Sequence, residues 1–78
     1  MARFYFDFHD GCGILRDDAG EELHSATFAW EEALKSVGQA IKALTYRPSE
    51  GRVVIEVRDS DGPVLRVSAV VETTPLKG

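Results

Sequence analysis

A single cysteine, Cys12, stands among 78 residues, so no disulfide can form within one copy of the chain. A lone thiol suits a reducing compartment and gives no sign of a secreted, disulfide-built scaffold. No apolar run approaches the roughly 20 residues that span a bilayer. The opening Met1-Ala2-Arg3-Phe4-Tyr5 alternates with charge instead of running apolar, as a secretion signal would. The expectation is a cytoplasmic protein with no membrane segment.

Basic charge is also in short supply. Nine lysines and arginines face thirteen acidic residues, a net charge of −4. Nucleic-acid binders concentrate basic residues to displace counterions from phosphates. Here the bases are spread from Arg3 to Lys77, and the field of the molecule repels DNA, RNA and anionic lipid at long range. Neither a Gly-Lys-Ser loop nor a Gly-x-Gly-x-x-Gly turn occurs. Gly11-Cys12-Gly13 is followed by a short strand pattern rather than a helix start, so it lacks the N–H array of a phosphate cradle. No cofactor is implied.

Seventy-eight residues make one domain. A chain this short buries only about 60% of the surface its unfolded form exposes and is marginally stable. Small domains compensate with metals, oligomers or tight packing where disulfides are excluded. Hydrophobic residues at 44% and charged residues at 28% sit near the globular average, so the chain folds.

Phe4, Phe6 and Phe8 alternate with Arg3, Tyr5, Asp7 and His9, the period of a strand with one buried face. That strand is expected at about residues 3–9. Asp10-Gly11-Cys12-Gly13 reads as a hairpin turn into a short second strand, Ile14-Leu15-Arg16. Asp17-Asp18-Ala19-Gly20 is a second turn, and Glu21-Glu22-Leu23 leads toward a helix. From Ala26 to Leu44, apolar residues recur at spacings of three and four: Ala26, Trp30, Ala33, Leu34, Val37, Ala40, Ile41 and Leu44. Ser25 is placed to cap this helix through its hydroxyl. Glu31 and Glu32 in the early turns, with Lys42 and Arg47 near the end, favour the helix dipole. Pro48 stops continuation. Gly38 sits mid-helix, where close approach to a strand would explain it.

Val53 to Asp59 and Val64 to Val71 alternate again, joined by the turn Ser60-Asp61-Gly62-Pro63. The pattern predicts an α+β domain, ββαββ, with one amphipathic helix packed on one face of an antiparallel four-stranded sheet. Residues 1–72 form the domain, and 73–78 form a flexible C-terminal tail. Whether the first strand neighbours 53–59 or 64–71 stays open.

The opening Arg3-Phe4-Tyr5-Phe6, the turn Asp10-Gly11, and Asp17 with Gly20-Glu21-Glu22-Leu23 form a recognisable set. Glu32-Ala33-Leu34, Ile55-Glu56-Val57 through Asp59, and Gly62 to Leu65 complete it. With these motifs the chain resembles a family of short uncharacterised domains of rhizobia and related alphaproteobacteria. The resemblance covers nearly the whole chain. It supports the fold and implies no activity, cofactor or partner.

Chemistry-bearing residues are few. His9, Asp10, Cys12, Asp17 and Asp18 form one cluster of catalytic or metal-ligating types. A structural zinc site wants four ligands, usually in paired Cys or His spacings, which one cysteine and two histidines do not supply. The aspartates read more simply as turn formers that accept local N–H groups. A Cys12–His9 nucleophile would need an orienting group and an oxyanion pocket, for which a one-helix domain has few walls. A small ligand- or metal-binding protein or enzyme built on this cluster is the alternative reading. His24, before the helix, could sense pH or meet an anion, or stand as an exposed turn residue. Trp30 reads as core.

The outer face of the sheet is the candidate interaction surface: Tyr5, Val54, Glu56, Arg58, Val64 and Arg66, with Asp7 and Val70 beside them. It suits a homodimer or an unidentified protein partner, since a small core gains by burying more apolar area. A solvated mixed-charge face is the competing interpretation. A strand edge offers β-augmentation as a second route. Base stacking on Tyr5 with Arg58 and Arg66 would bind nucleic acid weakly, against the overall charge. The reading is a non-enzymatic interaction or homodimerisation module.

Overall fold

The computed structural model describes residues 1–10, 13–43 and 51–77. In chain order the elements are β1 (Ala2–Asp10), β2 (Gly13–Leu15), β3 (Glu21–Leu23), α1 (Ala26–Lys42), β4 (Gly51–Asp59) and β5 (Gly62–Val71). Among the described residues the fold is α+β, one helix on an antiparallel sheet, with five strands where four were expected. The additional strand is Glu21–Leu23, which pairs with Ala2–Phe4 of β1. Its three residues are too few to display a period, and the partner that makes them a strand lies at the other end of β1.

The sheet order is β2-β1-β4-β5, with β3 also on β1. The open question of the first strand's neighbour is thereby answered: Tyr5–His9 pair with Val54–Arg58. β2 pairs with the Phe8–Asp10 end of β1, so β2 and β3 lie end to end along one edge. The loop between them reaches that same edge, where Phe6 donates its N–H to Asp17 Oδ2 at 3.1 Å. β4 and β5 form a hairpin around Ser60-Asp61, with Asp59 opposite Gly62. Gly62 takes φ 126°, a conformation open to glycine, and Asp61 donates its N–H to Asp59 Oδ1 at 2.8 Å. A register shift between Val57 and Arg58 leaves Val64 as an extra residue on β5.

The core is the face predicted from alternation. Phe4, Val53, Ile55 and Val57 are buried beneath Ala29, Ala33 and Val37 of α1, with Phe6, Phe8, Leu23, Leu65, Val67 and Ala69 packed around them. The helix face overlaps the sequence expectation in part: Ala33 and Val37 of the expected stripe are buried and Ala40 and Ile41 pack against the core, but the face is rotated. Trp30 and Leu34 are 46% and 47% exposed, while Ala29, outside the expected stripe, is fully buried with Ala33. Ala26 is exposed as well, and Leu44 lies outside the described residues. The physical reason is size. Alanines at 29 and 33 let the helix axis sit close to β4, and the bulkier Trp30 and Leu34 then ride on the shoulder of the helix.

Two local expectations are corrected. Gly38 is exposed, and a Cβ there would meet nothing within 4 Å, so no close approach uses it. Ser25 occupies the N-cap position but makes no side-chain capping bond; only its carbonyl engages, accepting from Ala29 N–H at 3.1 Å. Lys42 lies in the last turn as expected. Arg47 and Pro48 lie outside the described residues. Glu72–Lys77 carry no regular structure and are exposed.

Chirality fixes which way the shoulder faces. Phe6 aims its backbone groups at β2 and β3, so alternation aims those of Tyr5, Asp7 and His9 at β4, and those of Val53, Ile55 and Val57 at β5. Seen from the helix side with β1 running upward, this puts β4 and β5 on the left for L-residues. α1 leaves β3 at the bottom, runs upward, and makes its contacts chiefly with β4 and β5. Right-handed winding then carries Trp30, Leu34 and Ile41 to the left shoulder, toward β5.

Candidate functional site

On the face away from the helix, β1 contributes Tyr5, Asp7 and His9, and β4 contributes Val54, Glu56 and Arg58. Their cross-strand pairs are Tyr5 with Arg58, Asp7 with Glu56, and His9 with Val54. Asp7 is the one charged side chain buried among the described residues, 5% exposed. Its Oδ2 accepts from Arg58 Nε at 2.8 Å, and its Oδ1 accepts the Asp17 N–H at 2.9 Å. Arg58 Nη2 continues to the Asp17 carbonyl at 2.7 Å. The guanidinium carbon of Arg58 stands 4.5 Å from the centre of the Tyr5 ring, a cation–π contact.

Asp17 performs the turn role expected of it, and more. Oδ1 accepts the N–H groups of Ala19 and Gly20, both at 3.1 Å, while Oδ2 takes that of Phe6. Among the described residues no strand pairs the edge of β1 between β2 and β3, and the carboxylate supplies the acceptor a strand would have given. Gly20 follows with φ 73°, and a Cβ there would lie 2.9 Å from both Arg3 and Tyr5 side chains. Arg3 donates to the Ala19 carbonyl at 2.8 Å. Residues 16–20 thus form a strap tied across β1. Burial pushes the Asp7 and Asp17 carboxyls up, but hydrogen bonds and the Arg58 charge outweigh it, and both end below the ordinary carboxylate range.

This knot decides what several expected site residues can do. Tyr5 and Arg58 are engaged with each other and with the strap, so the arginine-and-aromatic pair suggested for base stacking is already satisfied internally. Glu56 pairs with Arg66 at 2.9 Å across β4 and β5. Val54 is half-buried, whereas Val64 and Val70 are 37% and 54% exposed. The His9–Asp–Cys12 cluster is only partly described: Cys12 and the Asp10 side chain lie outside the described residues. His9 Nε2 is buried without a hydrogen-bond partner among the described residues. Asp18 is exposed. Among the described residues no group of three or more His, Cys, Asp or Glu is arranged to hold a metal ion. No helix among them is long and apolar enough to cross a membrane. His24 is exposed, its ring centroid 5.8 Å from that of Phe28.

The two edges of the sheet differ. One is made of the three-residue strands β2 and β3 with the strap between them, a broken and blunted edge. The other is β5, ten residues long, whose one strand partner among the described residues is β4. The alternation traced above directs the N–H and C=O groups of Arg66, Ser68 and Val70 away from β4, with no strand partner among the described residues. Above this edge sit Trp30 and Leu34, each nearly half exposed. The shoulder was not legible as a surface in the sequence, since Trp30 and Leu34 match core spacing. The small Ala29 beside them, at the same i, i+4 spacing to Ala33, was the available signal.

No curated protein and no solved structure matches the chain. A family described as a domain of unknown function, DUF6894, matches residues 3–70. That span holds the Asp17 carboxylate, the positive-φ Gly20, the Asp7–Arg58 pair, all of β4 and all but the last residue of β5. The chain belongs to the DUF6894 family of domains of unknown function.

Proposed function

We propose that this domain is a non-enzymatic protein-interaction module whose contact surface is the outer edge of β5 together with the Trp30–Leu34 shoulder. The observation that carries the reading is the asymmetry of the sheet: one edge is broken by the strap, while the other offers a long run of backbone donors and acceptors beside exposed apolar side chains. An indole and a leucine left half in water forgo stabilisation at about 25 cal/mol per Å², and a small domain with little core regains it by association. Of the outer-face residues, Val64 and Arg66 belong to this surface, and Tyr5, Glu56 and Arg58 stiffen the sheet behind it. A cytoplasmic setting is supported by the single cysteine, and a bacterial origin by the motif resemblance.

Affinity capture from native cells tests the reading with three baits: the unaltered chain, Ser68→Pro and Leu34→Lys. The proline removes an outward N–H that β4 does not use, and the lysine charges the shoulder. Proteins retained by the unaltered chain are expected to be lost from both variants. Identical captures by all three baits overturn the assignment.

A further inference from the structure

Resting on that reading, we infer that the occupant of the β5 edge is a second copy of this chain, its β5 running antiparallel to the first across a two-fold axis at Ser68. The sheet becomes continuous through the interface, with both helices on the same side.

Charge and strand overlap together select the register. Outward-facing residues of an antiparallel pair face one another, so Arg66, Ser68 and Val70 can be matched in only a few ways. With Arg66 opposite Arg66 of the second copy, like charges meet directly. Moving one step puts Arg66 opposite Ser68 and still leaves the two arginines diagonal neighbours. With Ser68 opposite Ser68, Arg66 stands opposite Val70 of the second copy and diagonal to its Glu72, an opposite charge. One step further, with Ser68 opposite Val70, Arg66 would face Glu72 directly, but only residues 67–71 of β5 would overlap, against 65–71 in the Ser68 register. The Ser68 register also matches the helix-side residues: Val67 with Ala69, and Leu65 with Val71. Arg66 is 61% exposed at its side chain beyond its bond to Glu56, and Glu72 is exposed, so both can reach.

Geometry favours a second copy over a single added peptide. α1 lies over β4 and β5, and adjacent strands are about 4.8 Å apart. A two-fold beside β5 therefore brings the two helices to about 10 Å, near the 8–10 Å of packed helices. The shoulders that face each other across this gap carry Trp30 and Leu34, and filling it buries both. A lone extended peptide would satisfy the edge and leave those side chains in water.

The test is sedimentation equilibrium of the full chain with fluorescence of Trp30, the only tryptophan. The expected result is a dimer of twice 8.6 kDa, with emission moving to the blue as the dimer forms. Ser68→Pro should sediment as a folded monomer with red-shifted emission. Arg66→Glu should weaken the dimer about ten-fold, and Arg66→Glu with Glu72→Arg should restore it, which keeps the register testable if the proline variant does not fold. A monomer at millimolar concentration overturns the second copy, while capture that still depends on the β5 edge would leave the interaction reading standing. A dimer that survives Ser68→Pro and Arg66→Glu unchanged places self-association elsewhere and overturns this inference. If capture is also indifferent to the edge, the interaction reading falls with it.

Discussion

At the residue scale, the Asp7–Arg58–Asp17 knot is where the chain concentrates its electrostatics. The Asp7 and Arg58 side chains are 7% and 19% exposed, so removing one leaves the other with a desolvated charge. Arg58→Ala should cost about 3 kcal/mol, read from urea midpoints at neutral pH; a loss below about 1 kcal/mol, the value of a surface pair, would show the pair to be solvated. Asp17→Ala orphans three backbone N–H groups and should cost about 2 kcal/mol. The pH dependence follows from the same groups. Asp7 and Asp17 both titrate below their ordinary values in the folded chain, so they contribute stability that is complete above the unfolded carboxyl pKa, about 3.9. That contribution is lost as the pH falls through the folded values. Urea midpoints should therefore drop below about pH 4, and Asp17→Asn should shrink the drop. A midpoint flat from pH 6 to 2 in the unaltered chain would refute this account.

At the element scale, α1 shows how size, beyond polarity, sets the orientation of a helix. Ala29 and Ala33 have no exposed surface, and the helix can descend onto β4 only because nothing larger stands there. Ala33→Leu should overpack the contact and cost about 1–3 kcal/mol, measured by thermal or urea unfolding; a neutral outcome would mean that the helix is free to lift. Gly38 is the opposite case. Its added Cβ meets open space, so Gly38→Ala should raise stability by about 1 kcal/mol through backbone entropy alone. A destabilised alanine variant would point to a neighbour at that position.

At the scale of the whole molecule, the two edges of the sheet give it a direction. The strap closes one side with short strands and side-chain acceptors, and β5 leaves the other able to extend the sheet. If association occurs through β5, folding is linked to concentration by mass action. Raising the protein concentration ten-fold should raise the melting temperature of the unaltered chain and leave that of Ser68→Pro unmoved. Equal behaviour of the two would separate the edge from stability.

Period-two alternation in Phe4-Phe6-Phe8 and in Val53-Ile55-Val57 was sufficient to identify β1, β4, their buried face and the hairpin to β5, because alternation is a local property of the backbone. The helical period between Ala26 and Lys42 was equally local, and the α+β class follows from these. Local pattern could not specify β3, since a three-residue strand exists only by virtue of its partner. Nor could it choose between neighbouring faces of a helix, because Trp30 and Ala29 both fit the period and only contact with β4 decides which goes inward. The knot joins residues as far apart as Asp7 and Arg58, and its geometry required β1 to lie beside β4. Spacing along a chain encodes the hydrogen bonds and side-chain faces of single elements; which faces meet is determined by the packing of all of them together, and that is where the exposed shoulder and the open edge of β5 arise.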